Sequence, residues 1–161
     1  MRLNGCPCGY HGDPFKECTC SPGIVEKYQR RISGPLLDRI DLFIGVPRVE
    51  YDKLLTDDLA ESSEVVRNRV QAARNLQRKR FAGSKLGANA DMTPVEAREF
   101  CRTDDTAQGL LHMAMRQFHL SARSFHRILK VSRTIADLAD APLITAAHMA
   151  EALQYRTRSM A

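Results

Sequence analysis

The stretch Leu120-Ser121-Ala122-Arg123-Ser124-Phe125-His126-Arg127-Ile128-Leu129-Lys130-Val131-Ser132-Arg133-Thr134-Ile135-Ala136-Asp137-Leu138 decides the fold class. Ser121 reads as a helix N-cap, because its hydroxyl can accept a backbone N–H from the first turn. Phe125, Leu129, Ser132, Ala136 and Ala139 then recur at helical spacing, so one side of a long helix is small or apolar. Arg123, Arg127 and Lys130 fall at i, i+4 and i+7 and share another face. Arg123 stands in the first turn, where the helix dipole favours an anion, which makes this edge a candidate phosphate-binding site. The competing reading of the same three cations is a solvated basic stripe.

The helical pattern extends in both directions from this element. Downstream, Thr145 caps a last helix from Ala146 to about Tyr155. Upstream, residues 104–118 predict a helix with Leu111, Met115 and Phe118 facing inward. Thr93-Pro94-Val95-Glu96 is a capping box with proline at the first helical position, opening a short helix that ends near Cys101. Residues 83–89 read as a loop. From residue 61, Val66, Val70, Ala73 and Leu76 recur with helical period, while Arg67, Arg74 and Arg78 line another face. Residues 61–161 are therefore expected to form a four- or five-helix bundle with short connections.

Residues 1–60 read differently. Gly, Pro and Cys crowd residues 1–22 and predict an irregular loop or a metal knuckle. Residues 23–31 predict a short helix, and residues 36–39 a single helical turn. Ile40-Asp41-Leu42-Phe43-Ile44-Gly45-Val46-Pro47 has a strand's length and apolar content and ends at a proline. A single strand cannot satisfy its own edges, so flanking strands are expected outside this chain. The fold class is thus mainly α, a helical bundle in residues 61–161 preceded by an α/β remnant with one strand and a Cys-rich loop in residues 1–60.

The 161 residues carry 24 Lys and Arg against 19 Asp and Glu, a formal charge of +5. The excess is uneven: residues 1–60 are near neutral, and the basic surplus lies in residues 61–161. Such a surplus suits phosphate-bearing partners, nucleic acid or nucleotide, and equally suits an ordinary solvated helical surface. Charges interrupt every apolar run before it reaches membrane-spanning length. Cys6, Pro7, Cys8 and Gly9 stand where a signal peptide would need an apolar core. A cytoplasmic protein without membrane contact is expected.

Four of the five cysteines fall in the first twenty residues, as Cys6-Pro7-Cys8 and Cys18-Thr19-Cys20. Without a secretory signal the cluster reads as metal ligation before disulfides. Four thiolates around Zn²⁺ can replace the hydrophobic core that so short a loop lacks. Both pairs are C-x-C, closer than the usual knuckle, and His11 could substitute for one ligand. The alternative is a turn of structural thiols packed by Pro7, Gly9, Gly12 and Pro14. Cys101 lies in a helical apolar pattern and reads as an inert core thiol. Arg39, on a tight turn before the expected strand, is placed to reach a phosphate on a neighbouring subunit or to pair locally with Asp38 or Asp41. The histidines show no metal-binding spacing and read as surface or satisfied core residues. The sequence contains no G-x-x-x-x-G-K-[ST] phosphate loop.

Taken together, Asn4-Gly5-Cys6-Pro7-Cys8-Gly9-Tyr10-His11-Gly12-Asp13, then Ile32-Ser33-Gly34-Pro35-Leu36-Leu37-Asp38-Arg39-Ile40-Asp41-Leu42, then residues 120–138 resemble the magnesium-chelatase-like AAA+ ATPases. Within them the similarity is to the bacterial ComM/YifB group, associated with DNA branch migration during natural transformation. His148-Met149-Ala150-Glu151-Ala152-Leu153-Gln154-Tyr155-Arg156 fits the same group. The resemblance implies that Asn4 is the sensor 1 residue orienting the attacking water. It implies that Arg39 is the arginine finger acting on ATP of the adjoining protomer, and that Arg123 is the sensor 2 residue of a helical lid. Arg127, one turn on, is the neighbouring candidate for a nucleotide contact.

The family pattern usually carries Pro at the position of Gly5, and its Walker A and Walker B segments lie upstream of sensor 1. The resemblance therefore implies the C-terminal part of a ring ATPase, expected as a hexamer, that uses ATP and Mg²⁺ and acts on DNA. The chain alone is not expected to hydrolyse ATP. Two other classes fit the residues: a stand-alone zinc-stabilised nucleic-acid-binding module using Arg67, Arg74 and Arg78, and a non-enzymatic adapter that associates through the apolar residues 40–47.

Overall fold

The computed structural model describes residues 4–31, 33–37, 39–46 and 61–156, which divide into two units between Ile40 and Asp41. The first unit holds the cysteine-bearing loop and two helices, α1 (Pro22–Gln29) and α2 (Gly34–Leu37). Pro22 opens α1 at a position whose N–H would have no partner in the helix.

The second unit is helical. Its elements are α3 (Ser63–Arg80), a 3₁₀ turn (Asn89–Asp91), α4 (Pro94–Phe100), α5 (Asp105–Gln117), α6 (Ala122–Leu138) and α7 (Ala146–Gln154). Each start has a side-chain reason. Ser62 accepts from Val65 N, Asp104 from Ala107 N and Ser121 from Ser124 N, and Thr93 and Glu96 form the expected capping box. At α7 the Thr145 N–H donates to His148 Nδ1 at 3.1 Å. Two helices end without glycine: His119 after α5 and Asp140 after α6 take positive φ of 48° and 52°. Leu120 N then reaches back to Met115 O and Ala141 N to Ala136 O, which closes the carbonyl ends of both helices.

Helix α6 is the centre of the bundle. It packs against α3, α4, α7 and the 3₁₀ turn, while α5 packs on α7. The core contains Phe81, Met92, Ala97, Cys101, Ala107, Leu111, Ile128, Leu129, Ala136, Ile144, Met149 and Ala152. The Phe81 and Phe100 rings meet edge to face at 5.4 Å. A parallel bridge between Thr103 and Ile144 ties the α4–α5 connection to the α6–α7 connection.

One buried polar network joins these helices. Asp137, whose side chain is wholly enclosed, accepts from both terminal nitrogens of the Arg80 guanidinium, and Arg133 Nε donates to it at 3.1 Å. Asn89 Nδ2 donates to Asp137 Oδ2 at 2.8 Å, and Asn89 N donates to Gln77 Oε1 at 3.1 Å. Arg133 also donates to the carbonyls of Ala141 and Pro142.

The mainly helical class is as the sequence predicts, with three local differences. Residues 41–46 form no strand: Phe43 N donates to Tyr155 O at 2.9 Å, and Leu42, Ile44 and Val46 stay exposed. The described residues offer no second strand to build a ladder, and Pro47 lies outside them. On α3 the apolar stripe is covered only in its C-terminal half. Ala73 is buried, whereas Val66 and Val70 are exposed, because packing on α6 engages the end that carries Arg80. Phe118 does not face the core as expected: it stays 38% exposed, its ring lying under the Arg156 guanidinium at 3.6 Å.

Removing the shared carboxylate would leave two arginines buried beside each other. Asp137→Ala is expected to cost about 3–5 kcal/mol in chemical denaturation. Burial disfavours the Asp137 carboxylate, yet hydrogen bonds from Arg80 and Asn89 and the charge of Arg133 hold its pKa below the ordinary carboxylate range. A depressed folded-state pKa contributes stability that is present above the unfolded value of about 4 and is lost as pH falls below it. Acid titration of stability should show this loss in the wild-type chain and less of it in Asp137→Asn.

Candidate functional site

The four N-terminal cysteines converge. The Sγ atoms of Cys6, Cys8, Cys18 and Cys20 all lie within 4.8 Å of one another, with Cys6–Cys8 at 3.2 Å, Cys8–Cys18 at 3.5 Å and Cys6–Cys18 at 3.6 Å. Tetrahedral thiolates around Zn²⁺ at about 2.3 Å sit about 3.8 Å apart, so the donor set and its spacing fit such an ion. The C-x-C spacing does not prevent convergence, because the chain doubles back between the pairs. Gly9 and Gly12 turn at φ of 83° and 81°, conformations that side chains disfavour. Gly9 N donates to Cys6 O and Asp13 N to Tyr10 O, while Asp13 Oδ1 receives the N–H groups of Phe15 and Lys16. His11 lies outside the sulfur cluster, its Cβ packed close to Gly5.

Crowded thiols cannot all ionise alone, and their acidities are spread accordingly. The Tyr10 N–H and the Cys6 thiol hold Cys8 down to about 5. The Cys20 N–H favours the Cys18 thiolate, but burial and the neighbouring Cys8 and Cys6 push Cys18 up to about 12. A divalent cation among the sulfurs would remove that mutual penalty. Cys101 is different. It is buried in the helical core, and desolvation raises its pKa to about 11, so it stays a thiol as the sequence predicts.

Asn4 is exposed at the entry to the cysteine loop. Arg39 is exposed on the turn after α2, where its N–H donates to Leu36 O at 3.0 Å. Asp38, one of its expected ion-pair partners, lies outside the described residues.

The three cations of α6 do not form one open stripe. Arg123 is exposed in the first turn, beside the Ser121 cap. Arg127 is buried, with Nη2 3.3 Å from Ser124 Oγ. Lys130 Nζ donates to Ala90 O at 2.9 Å. His126 is an exception to the expected satisfied histidines: its Nδ1 is buried without a hydrogen-bond partner, and burial holds the ring towards its neutral form.

Residues 60–156 match the family model described as magnesium chelatase, subunit ChlI C-terminal, and residues 1–54 match that of magnesium chelatase, subunit ChlI. This chain belongs to the magnesium-chelatase-like family. It is 40% identical over 155 residues to competence protein ComM of Haemophilus influenzae, covering 96% of this chain and 29% of that protein. It is 37% identical over 156 residues to the uncharacterized protein YifB of Escherichia coli, with the same coverage. The chain thus spans less than a third of the length of these relatives.

Within this magnesium-chelatase-like chain, two features escaped sequence reasoning. Arg133 and Asp137 stand i, i+4 on α6, a spacing that could have flagged a pair, but nothing local links Asp137 to Arg80, 57 positions away. Gln29 of α1 donates to Gly5 O at 3.1 Å, a contact for which periodicity gives no sign. The different burial of the two α6 arginines has a measurable consequence. Arg123→Ala should change stability by less than about 0.5 kcal/mol, as exposed substitutions do. Arg127→Ala should cost about 1–3 kcal/mol, chiefly through lost packing of its buried stem, read from denaturation midpoints, while Ser124 Oγ keeps its contact with Ser121 Oγ at 3.2 Å.

Proposed function

We propose that this chain is the arginine-finger and lid portion of a ComM/YifB-type AAA+ ATPase. That ATPase is a ring motor, expected to be hexameric and cytoplasmic, that acts on DNA during branch migration. Residues 1–60 are the end of the α/β core, and residues 61–161 are the lid. The reading is supported by the two family matches over residues 1–54 and 60–156 and by the similarity to ComM over 96% of the chain, with Arg39 and Arg123 both exposed. The word competence in the name of the Haemophilus relative supports the DNA role.

In this reading the longer protein binds ATP with Mg²⁺, which supplies charge neutralisation at the phosphates. This chain contributes cationic groups rather than the phosphate cradle. Arg39 extends from its turn toward ATP held by the adjoining protomer, where a planar guanidinium matches the charge that develops on the transferring phosphoryl group. Arg123 approaches the phosphates of its own subunit from the first turn of α6, so lid position and nucleotide state are coupled. Asn4 orients the attacking water. Zn²⁺ on Cys6, Cys8, Cys18 and Cys20 belongs to the same reading as a structural ion.

A second reading concerns nucleic acid directly. Arg67, Arg74 and Arg78 are all exposed and lie within one face of α3, favouring phosphate contacts there.

The first reading is tested in a chimera in which this chain replaces the matched segment of Haemophilus ComM. Arg39→Ala should lower ATP turnover by about 10³-fold while nucleotide binding persists. Wild-type turnover in both Arg39→Ala and Arg123→Ala would overturn it. For α3, each Arg→Ala should reduce the slope of log affinity for duplex DNA against log salt by about 0.9. An unchanged slope removes that face from DNA contact.

A further inference from the structure

The segment from Asn4 to Cys20 folds with almost no apolar interior. In the first unit, only Cys6 and Val25 are buried hydrophobics among the described residues, and Phe15 is 65% exposed. Two turn hydrogen bonds and an Asx turn do not hold so many residues in one conformation against chain entropy. What converges instead is the sulfur cluster, with Cys6 fully enclosed.

The residues just before the cluster are gripped from two sides. Gly5 O accepts the Gln29 side chain at 3.1 Å, which ties the segment to α1. A Cβ on Gly5 would come within 3.3 Å of His11 Cβ and Cδ2, so the backbone here lies directly against the loop that the sulfurs close. A Cβ on Gly9 would come to 4.0 Å from Asn4 Nδ2, so that side chain also rests on the loop.

We propose that residues 4–31 are a metal-folded unit. Zn²⁺ bound by the Sγ atoms of Cys6, Cys8, Cys18 and Cys20 closes the loop that positions Asn4, and Gln29 is the positioning residue that links it to α1. The four thiolates leave the ion no open coordination position, so its role is to order the chain. Binding and folding of this unit are then one equilibrium. The inference deepens the sensor reading of Asn4 and rests on it only for the consequence at the phosphate.

The test uses this 161-residue chain. Elemental analysis should find about one zinc per chain, and Co²⁺ in its place should give the intense visible bands of a tetrahedral tetrathiolate site. Removing the metal with a chelator should abolish amide-exchange protection across residues 4–31 and leave α5, α6 and α7 protected, an internal control for folding. Cys18→Ser with Cys20→Ser should do the same without chelator. Gln29→Ala should keep the metal and speed exchange around Gly5 by about tenfold, the loss of one hydrogen bond. Iron in place of zinc, a metal-free chain with unchanged protection, or a chelated chain that stays protected would overturn the proposal. A loaded, protected chain whose Asn4→Ala chimera turns over ATP at the wild-type rate would remove the sensor role alone.

Discussion

The helical unit depends on a single buried carboxylate. Asp137 lies near the end of α6 and is reached from α3 by Arg80, from the 3₁₀ turn by Asn89 and from its own helix by Arg133. Two guanidinium groups enclosed around one carboxylate are acceptable only because their other donors also find oxygens. Arg80 reaches Asn89 Oδ1, and Arg133 reaches the carbonyls of Ala141 and Pro142. A hydrophobic cluster alone would tolerate sliding of these helices, since apolar contacts are non-directional. The network requires one relative placement of α3, α6 and the 3₁₀ turn.

That placement bears on how the basic residues are distributed. Arg80 and Arg133 are consumed inside the fold, Arg127 is buried beside Ser124, and Lys130 is spent on the Ala90 carbonyl. What remains for a phosphate on α6 is Arg123, at the end of the helix where backbone N–H groups favour an anion. Anchoring of α6 by Asp137 at one end and an exposed cation at the other are the two features on which the proposed lid role draws.

The first unit obeys a different constraint. With so little apolar surface to bury, it relies on convergence of side-chain sulfurs and on glycines that turn at positive φ. Its chemistry and its architecture are therefore the same residues, whereas in the helical unit the exposed Arg123 and the structural Arg133 are separate.

Much of this was legible in the residues. Caps at Ser121 and Thr93, the proline at the start of α4 and the helical period of α6 are local signals, and local backbone chemistry reproduces them. Four cysteines within twenty residues pointed to a shared ligand set by their number, although the C-x-C spacing argued against it, and the structure brings their sulfurs together. Burial was not legible in that way. Arg123 and Arg127 are one turn apart and chemically identical, yet one faces solvent and the other the core. The strand expected over residues 40–47 had the right composition but no partner in the described residues, and pairing is a two-segment property. The sequence by itself determined most of the helices and the donor atoms, though not the 3₁₀ turn at Asn89–Asp91 nor the position of the short helix, expected at residues 36–39 and found at Gly34–Leu37. Only the tertiary structure decided which charges are spent on one another, because Arg80 and Asp137 meet across 57 positions through packing that no local pattern encodes.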